Sequence, residues 1–227
     1  MKILGIETAT RFGSVALMDE TRLIAEYRVA LEMRQAERLL PLIDAMLKEA
    51  QVSLSDINAI AVSIGPGSFT SLRVGLATAK GLAIGRGLPL IPVPTLEAFA
   101  APFRHAKSVI LPMVVSRKDE IYWAMFSPYG LRLHPDSVGS VETMLEAMGQ
   151  DEVLFVGEGA NLHQDKIIKN FKGKPLFPSV FLQSPQAASV AQIGLTRLMN
   201  GETTSVEDIV PVYLHELSPN KIPGKSL

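Results

Sequence analysis

Apolar and polar residues trade places at two different periods along the chain, and the switches between them mark out the elements. Residues 2–8 are a β-rich run, residues 13–19 alternate around Val15 and Leu17, and residues 22–30 carry Leu23, Ala25, Tyr27 and Val29 on one face. The opening therefore predicts three strands, the last two joined by a tight turn at Asp19-Glu20-Thr21. The period then lengthens: Ala36, Leu39, Leu40, Ile43, Met46, Leu47 and Ala50 fall on one helical stripe. Pro41 removes a backbone donor, so this helix either starts near Glu37 or bends. A buried strand over 59–64 runs into the turn Gly65-Pro66-Gly67-Ser68, after which Ser68 or Thr70 caps a long helix to about Gly85. A strand over 90–93 and a helix from Thr95 through Phe103 complete the series.

From residue 108 the series begins again. Strands are predicted over 108–115 and 120–126 with a turn over 116–119, a third over 131–133, a helix over 141–148 and a strand over 153–156. Gly157-Glu158-Gly159 then stands where Gly65-Pro66-Gly67 stood, and helices follow over 162–170 and 186–200, the latter opened by Ser184-Pro185 as cap and first-turn proline. Two successive βββ-α-β-turn-α runs predict an internal duplication. It rests on element order, because identity between the halves is negligible. The expected division is a first lobe over 1–104, a second over 105–217, and a poorly ordered Pro-, Lys- and Gly-rich tail over 218–227. Two mixed sheets with helices, facing each other across a cleft, make an α/β duplicated ribonuclease H-like fold, the plan of actin, sugar kinases and Hsp70.

Composition narrows the chemistry. The 227 residues contain no cysteine, which excludes disulfides, thiolate nucleophiles, Cys-ligated zinc and iron–sulfur clusters. With 22 basic and 23 acidic residues the net charge is −1, so no global field draws the chain to nucleic acid or anionic lipid. Apolar residues make up 47% and charged ones only 20%, with a mean hydropathy of +0.22, yet no apolar run nears the roughly 18–20 residues of a membrane span. Glu7 also comes too early for a secretory leader. The surplus apolarity must enter the core or a partner, which points to a cytoplasmic, protein-binding molecule.

The stretch SIGPGSFTSLRVGLATAKGLA, residues 63–83, is the most informative. Glycines flanking Pro66 ahead of a capped helix converge several backbone N–H groups, which reads either as an anion site or as a turn needing glycine for its φ angles. The helix behind it is apolar nearly all round. Leu72, Leu76, Ala79, Leu82 and Ala83 form one face, while Val74, Ala77, Gly81 and Ile84 stand opposite, flanked by Arg73 and Lys80. Such a helix is either fully buried or packed on two partners, and at this chain length an intermolecular face is the better account. Glu7-Thr8-Ala9-Thr10 ends the first strand where nucleotide-binding members of the fold place an acid and a phosphate hairpin, but glycine is missing until Gly13. Ala61-Val62-Ser63-Ile64-Gly65 resembles a nucleophile elbow without its first glycine. His105, His134, His163 and His215 have no partners at helical or hairpin spacing, so neither a serine triad nor a metal set is indicated.

Residues 63–83, followed by Pro92-Val93-Pro94-Thr95-Leu96-Glu97-Ala98, resemble the TsaB (formerly YeaZ) family of tRNA threonylcarbamoyladenosine biosynthesis. The opening ILGIETAT…GSVAL, Arg38-Leu39-Leu40-Pro41 and Val210-Pro211-Val212-Tyr213-Leu214 agree too, so the likeness runs nearly end to end. It departs at Ser71, where the family usually has Gly, and at Glu7, where Asp is usual; neither change removes a known catalytic group. The resemblance implies the same duplicated fold and a heterodimer with TsaD, the relative that transfers threonylcarbamoyl to the adenosine beside the anticodon, joined by the ATPase TsaE. TsaD holds its metal through two histidines of a V-N-H-x-E-A-H-like motif, and here Thr95 and Phe99 occupy both positions. A hydroxyl and a phenyl ring do not replace two imidazoles.

The expectation is therefore a non-catalytic scaffold subunit without metal or cofactor, reaching tRNA only through its complex and self-associating as a twofold dimer when alone. Its partner interface is expected at Leu42, Ala45, Val74, Ala77, Gly81 and Ile84, rimmed by Arg38, Arg73 and Lys80. The rival expectations are a stand-alone actin-like ATPase or kinase and a glycoprotease-like metallopeptidase.

Overall fold

A computed structural model describes residues 1–30, 34–117, 119–184 and 186–215. The expected tail over 218–227 and the first-turn proline at 185 lie outside these residues. Strands β1 (Lys2–Glu7), β2 (Phe12–Asp19) and β3 (Leu23–Ala30) are followed by α1 (Gln35–Glu49), β4 (Ala59–Ser63), α2 (Phe69–Arg86), β5 (Leu90–Val93) and α3 (Thr95–Ala100). The second series is β6 (Val109–Arg117), β7 (Glu120–Phe126), β8 (Arg132–Gly139), α4 (Val141–Glu146), β9 (Glu152–Val156), α5 (Glu158–Leu162), α6 (Gln164–Asn170), β10 (Lys174–Leu176) and α7 (Ala187–Met199).

The two five-stranded sheets have one topology. The first runs β3-β2-β1-β4-β5 and the second β8-β7-β6-β9-β10; in each, the first three strands pair antiparallel and the last two add in parallel. The predicted duplication and fold class are thus present. Three local expectations change. The helix predicted over 162–170 is two helices, α5 and α6, broken at His163, whose φ of −109° and ψ of 17° leave the helical region. A fifth strand in the second sheet, β10, had no counterpart in the sequence reading. Helix α1 begins at Gln35 and continues through Pro41.

Period-2 alternation sends different side chains to the two faces of the first sheet. Leu4, Ile6, Ile60 and Val62 pack under α1 and α2, while Ile3, Ala59 and Ala61 face α7. The α7 side is built for close approach: a Cβ on Gly5 would collide with the Ala187 carbonyl, and one on Gly194 with the Ala61 side chain. The first sheet also caps α7, since the Ala187 N–H donates to Ser14 Oγ (2.9 Å) and the Ala188 N–H to Glu26 Oε1 (3.0 Å). Helix α3 makes the reverse crossing. Its Leu96 and Phe99 join Ile110, Val114, Tyr122 and Phe126 of the second sheet, whose other face is covered by Met144, Ile167 and Phe171. So α7 follows the second sheet in sequence and covers the first, and α3 follows the first and covers the second. Arg197 of α7 ties the exchange, donating to the Pro92 carbonyl (2.6 Å) and to Glu97 Oε2 of α3 (2.7 Å).

Candidate functional site

Helix α2 owes its position to Leu72, Leu76, Ala79 and Ala83, all buried, while Leu82, expected among them, is half-buried. Its opposite side is open. Ala77, Gly81 and Ile84 are exposed, Ile84 at 66%, and a Cβ on Gly81 or Gly85 would have no neighbour within 4 Å among the described residues. Val74 is half-buried and packs with Leu82 towards the cluster containing Ile43, Met46 and Leu47 of α1. The flanking cations are both engaged. The Arg73 guanidinium lies 3.7 Å over the Phe69 ring and donates from Nε to Tyr213 Oη (3.0 Å), and Lys80 Nζ donates to the Glu207 carbonyl at 3.4 Å.

On α1 the expected residues sit on a different flank. Arg38, Leu42 and Ala45 line a hollow of about 290 Å³ with Tyr27 and Val29 of β3. The side of α1 turned to α2 presents Leu40, Ile43, Asp44 and Leu47 beside Leu82. Leu40, predicted to point inward, is 51% exposed. Of the expected α2 residues, Ala77, Gly81 and Ile84 are thus exposed and Val74 is half-buried, while the expected α1 residues lie on the flank of α1 turned to β3, with other residues of α1 facing α2. Phe69, 42% exposed, escaped the sequence reading because it stands at the helix start, ahead of the recognised stripe.

Two N–H groups of the turn before α2 are used internally. Gly65 N–H donates to Thr95 Oγ1 (3.1 Å), Thr95 N–H donates back to the Gly65 carbonyl (2.8 Å), and Ser68 N–H donates to the Ala9 carbonyl (2.7 Å). Gly65 has a φ of +117°, which glycine alone adopts readily. The φ of Gly65 fits the glycine-requiring turn, and Gly67 lines a cavity together with Ser68, Phe69 and Thr70. Thr95 is accordingly a clasp between turn and α3, and Phe99 is a core side chain, 3% exposed. No group of three or more His, Asp or Glu residues able to hold a metal ion occurs among the described residues.

Two cavities flank the seam between the sheets. One, of about 570 Å³, is lined by Gly67 and Ser68 of the turn, by Phe69 and Thr70 of α2, by Ser116, Arg117 and Tyr122, and by Tyr213 and His215. The other, of about 380 Å³, is lined by Arg11, Phe12, Glu158, Leu162 and Gln183. Glu7, at the end of β1, is fully buried. Its Oε1 accepts the Ala9 N–H at 2.5 Å, and Oε2 has no partner among the described residues. Burial pushes its carboxyl up to about 7, against the opposing hydrogen bonds from Ala9 and Ser63. Ser63 is itself fully buried, and its Oγ accepts the Thr8 N–H.

The profile of the family described as "TsaD: tRNA N6-adenosine threonylcarbamoyltransferase" matches residues 31–215. The chain is 33% identical to the tRNA threonylcarbamoyladenosine biosynthesis protein TsaB of Escherichia coli K12, covering 99% of this chain and 100% of that one. The chain belongs to the TsaB (YeaZ) family. The Bacillus subtilis TsaB is 30% identical, covering 94% of both chains. YeaZ from Pseudomonas aeruginosa superposes with a TM-score of 0.79 at 26% identity, over 94% of this chain and 99% of that one. The profile of the transferase family thus matches a chain whose relatives are TsaB proteins, and in this chain Thr95 and Phe99 are buried in packed surroundings.

Proposed function

We propose that this chain is a non-catalytic subunit of threonylcarbamoyladenosine synthesis. It docks its α1/α2 face onto a TsaD-type catalytic chain, helps recruit a TsaE-type ATPase, and meets tRNA through that complex in the cytoplasm. The observation that carries this reading is the open side of α2. A mid-chain helix holds Gly81 and Gly85 where nothing among the described residues needs small side chains, with Ala77 exposed beside them, and small residues allow a second helix to come close. The inward placement of Thr95 and Phe99 supports a non-catalytic role, because neither side chain offers a ligand atom to solvent. The sealed carboxyl of Glu7 weighs against a stand-alone ATPase, since a hydrated magnesium ion cannot reach it. No described helix is long and apolar enough to cross a membrane. Alone, the same face pairs with its copy about a twofold axis.

The decisive experiment is titration calorimetry of the purified chain with a TsaD-type subunit. Gly81→Arg and Ala77→Arg should each weaken association at least 100-fold, with melting temperatures close to the parent's. Parent-like affinity in both variants overturns the assignment of the face.

A further inference from the structure

The α2 face has a third border that neither helix supplies. After α7 the chain returns as a strap alongside α2. Thr204 bridges to Leu90 at the open edge of β5, and Ile209 is 3% exposed within the core under α1 and α2. The Val212 N–H donates to the Ile64 carbonyl at 2.7 Å. The groups of α2 that hold the strap recur on one flank of the helix. At 100° per residue, Phe69, Lys80 and Arg73 fall within about 40° of one another. Lys80 holds the Glu207 carbonyl, and Arg73, stacked on Phe69, holds the Tyr213 hydroxyl. The Phe69 and Tyr213 rings lie 4.9 Å apart, centroid to centroid. Val74, Thr78 and Leu82 lie on the opposite flank, where α1 packs. Ala77, Gly81 and Ile84 consequently form the floor of a channel with α1 as one wall and the strap as the other. Between the two fixed points of the strap, Val210 is 65% exposed, an outward apolar side chain beside the apolar floor.

We propose that the strap, residues 207–213, is a third element of the docking surface, with Val210 as its contact and Tyr213 as the residue that positions it through Arg73. This rests on the docking role proposed above. The occupant is a helix of the TsaD-type chain, and the TsaD profile supports that choice because its match over residues 31–215 takes in α1, α2 and the strap together. A partner of the same plan brings a counterpart to each of the three elements. Arg73 and Lys80 then serve to hold the wall in place, through a phenolic oxygen and a backbone carbonyl.

The test measures affinity for the TsaD-type subunit by calorimetry. Val210→Glu should weaken binding at least 10-fold with an unchanged melting temperature, while Leu131→Glu, at an equally exposed leucine on the β7–β8 turn, leaves it unchanged. Tyr213→Ala should weaken binding and speed hydrogen exchange at the Val212 amide. In that background Val210→Glu should cost less than it does in the parent, because the wall is already displaced. Parent-like binding by Val210→Glu, an equal loss with Leu131→Glu, or strictly additive losses in the double variant each overturn the inference. If Gly81→Arg abolishes binding while Val210→Glu does not, the docking role stands and the strap alone is wrong. A parent chain that fails to bind removes both.

Discussion

Helices α2 and α7 carry the same device and put it to opposite use. Each bears small residues at helical spacing. In α7, Ala187, Ala191 and Gly194 are covered by Gly5, Ile3 and Ala61 of the first sheet, so closely that an added Cβ at 194 has no room. In α2, Ala77, Gly81 and Gly85 are exposed, and a Cβ on either glycine would meet nothing among the described residues. Small residues on a helix thus mark a close neighbour, and where the chain supplies none the surface is unfinished. The difference is not visible in composition, since both stripes read as alanine and glycine at a period near 3.6. It lies in what crosses them.

The sharpest way to break the comparison is to add the same volume to both helices. Gly194→Leu should destabilise the isolated chain by more than about 3 kcal/mol, the upper range for overpacking a filled seam, whereas Gly81→Leu should cost nothing and gain up to about 1 kcal/mol from helix propensity. Urea midpoints read both, and equal losses would erase the distinction. A second test asks whether the end of β1 is as closed as the α7 seam. Glu7 has its carboxyl raised from 4.5 to about 7 by burial. Stability linked to the neutral carboxyl is therefore fully present below about 4.5 and lost as pH rises through about 7, amounting to about 3 kcal/mol. Glu7→Gln should remove this slope and leave the variant more stable than the parent at pH 8; parallel pH profiles would show the site to be open. The smallest effect is Gly81→Ala, which should stabilise the isolated chain by about 0.5–1 kcal/mol through helix propensity alone. A loss of stability there would mean that the face is already covered.

The duplicated fold was legible because each half repeats the same change from period 2 to period 3.6, and element order survives when identity does not. Lys174-Pro175-Leu176 is too short, and broken by proline, to read as a strand, although it pairs in parallel with β9. The break at His163 left no mark because Ala160 and Ile167, both buried, stand seven residues apart and keep a helical rhythm across it. The open face of α2 could be read from one wheel, whereas α1 was phased wrongly at Leu40: a stripe of seven apolar positions is wider than the buried face, and only the packing of Leu39, Ile43 and Met46 fixes its centre. The anchoring of Arg73 and Lys80 was out of reach. Their partners lie 140 and 127 residues away and are a phenol and a backbone carbonyl, which no charge pattern announces.

The crossing of α3 and α7 has a consequence for how the molecule comes into being. While the ribosome has delivered only the residues up to 186, the first sheet lacks the cover for Ile3, Ala59 and Ala61, and the nascent polypeptide must carry that bare surface until its final helix emerges. The second sheet already has α3 on one face and α4 and α6 on the other by then, so the two halves close in turn, and the late event is the sealing of the first sheet alone.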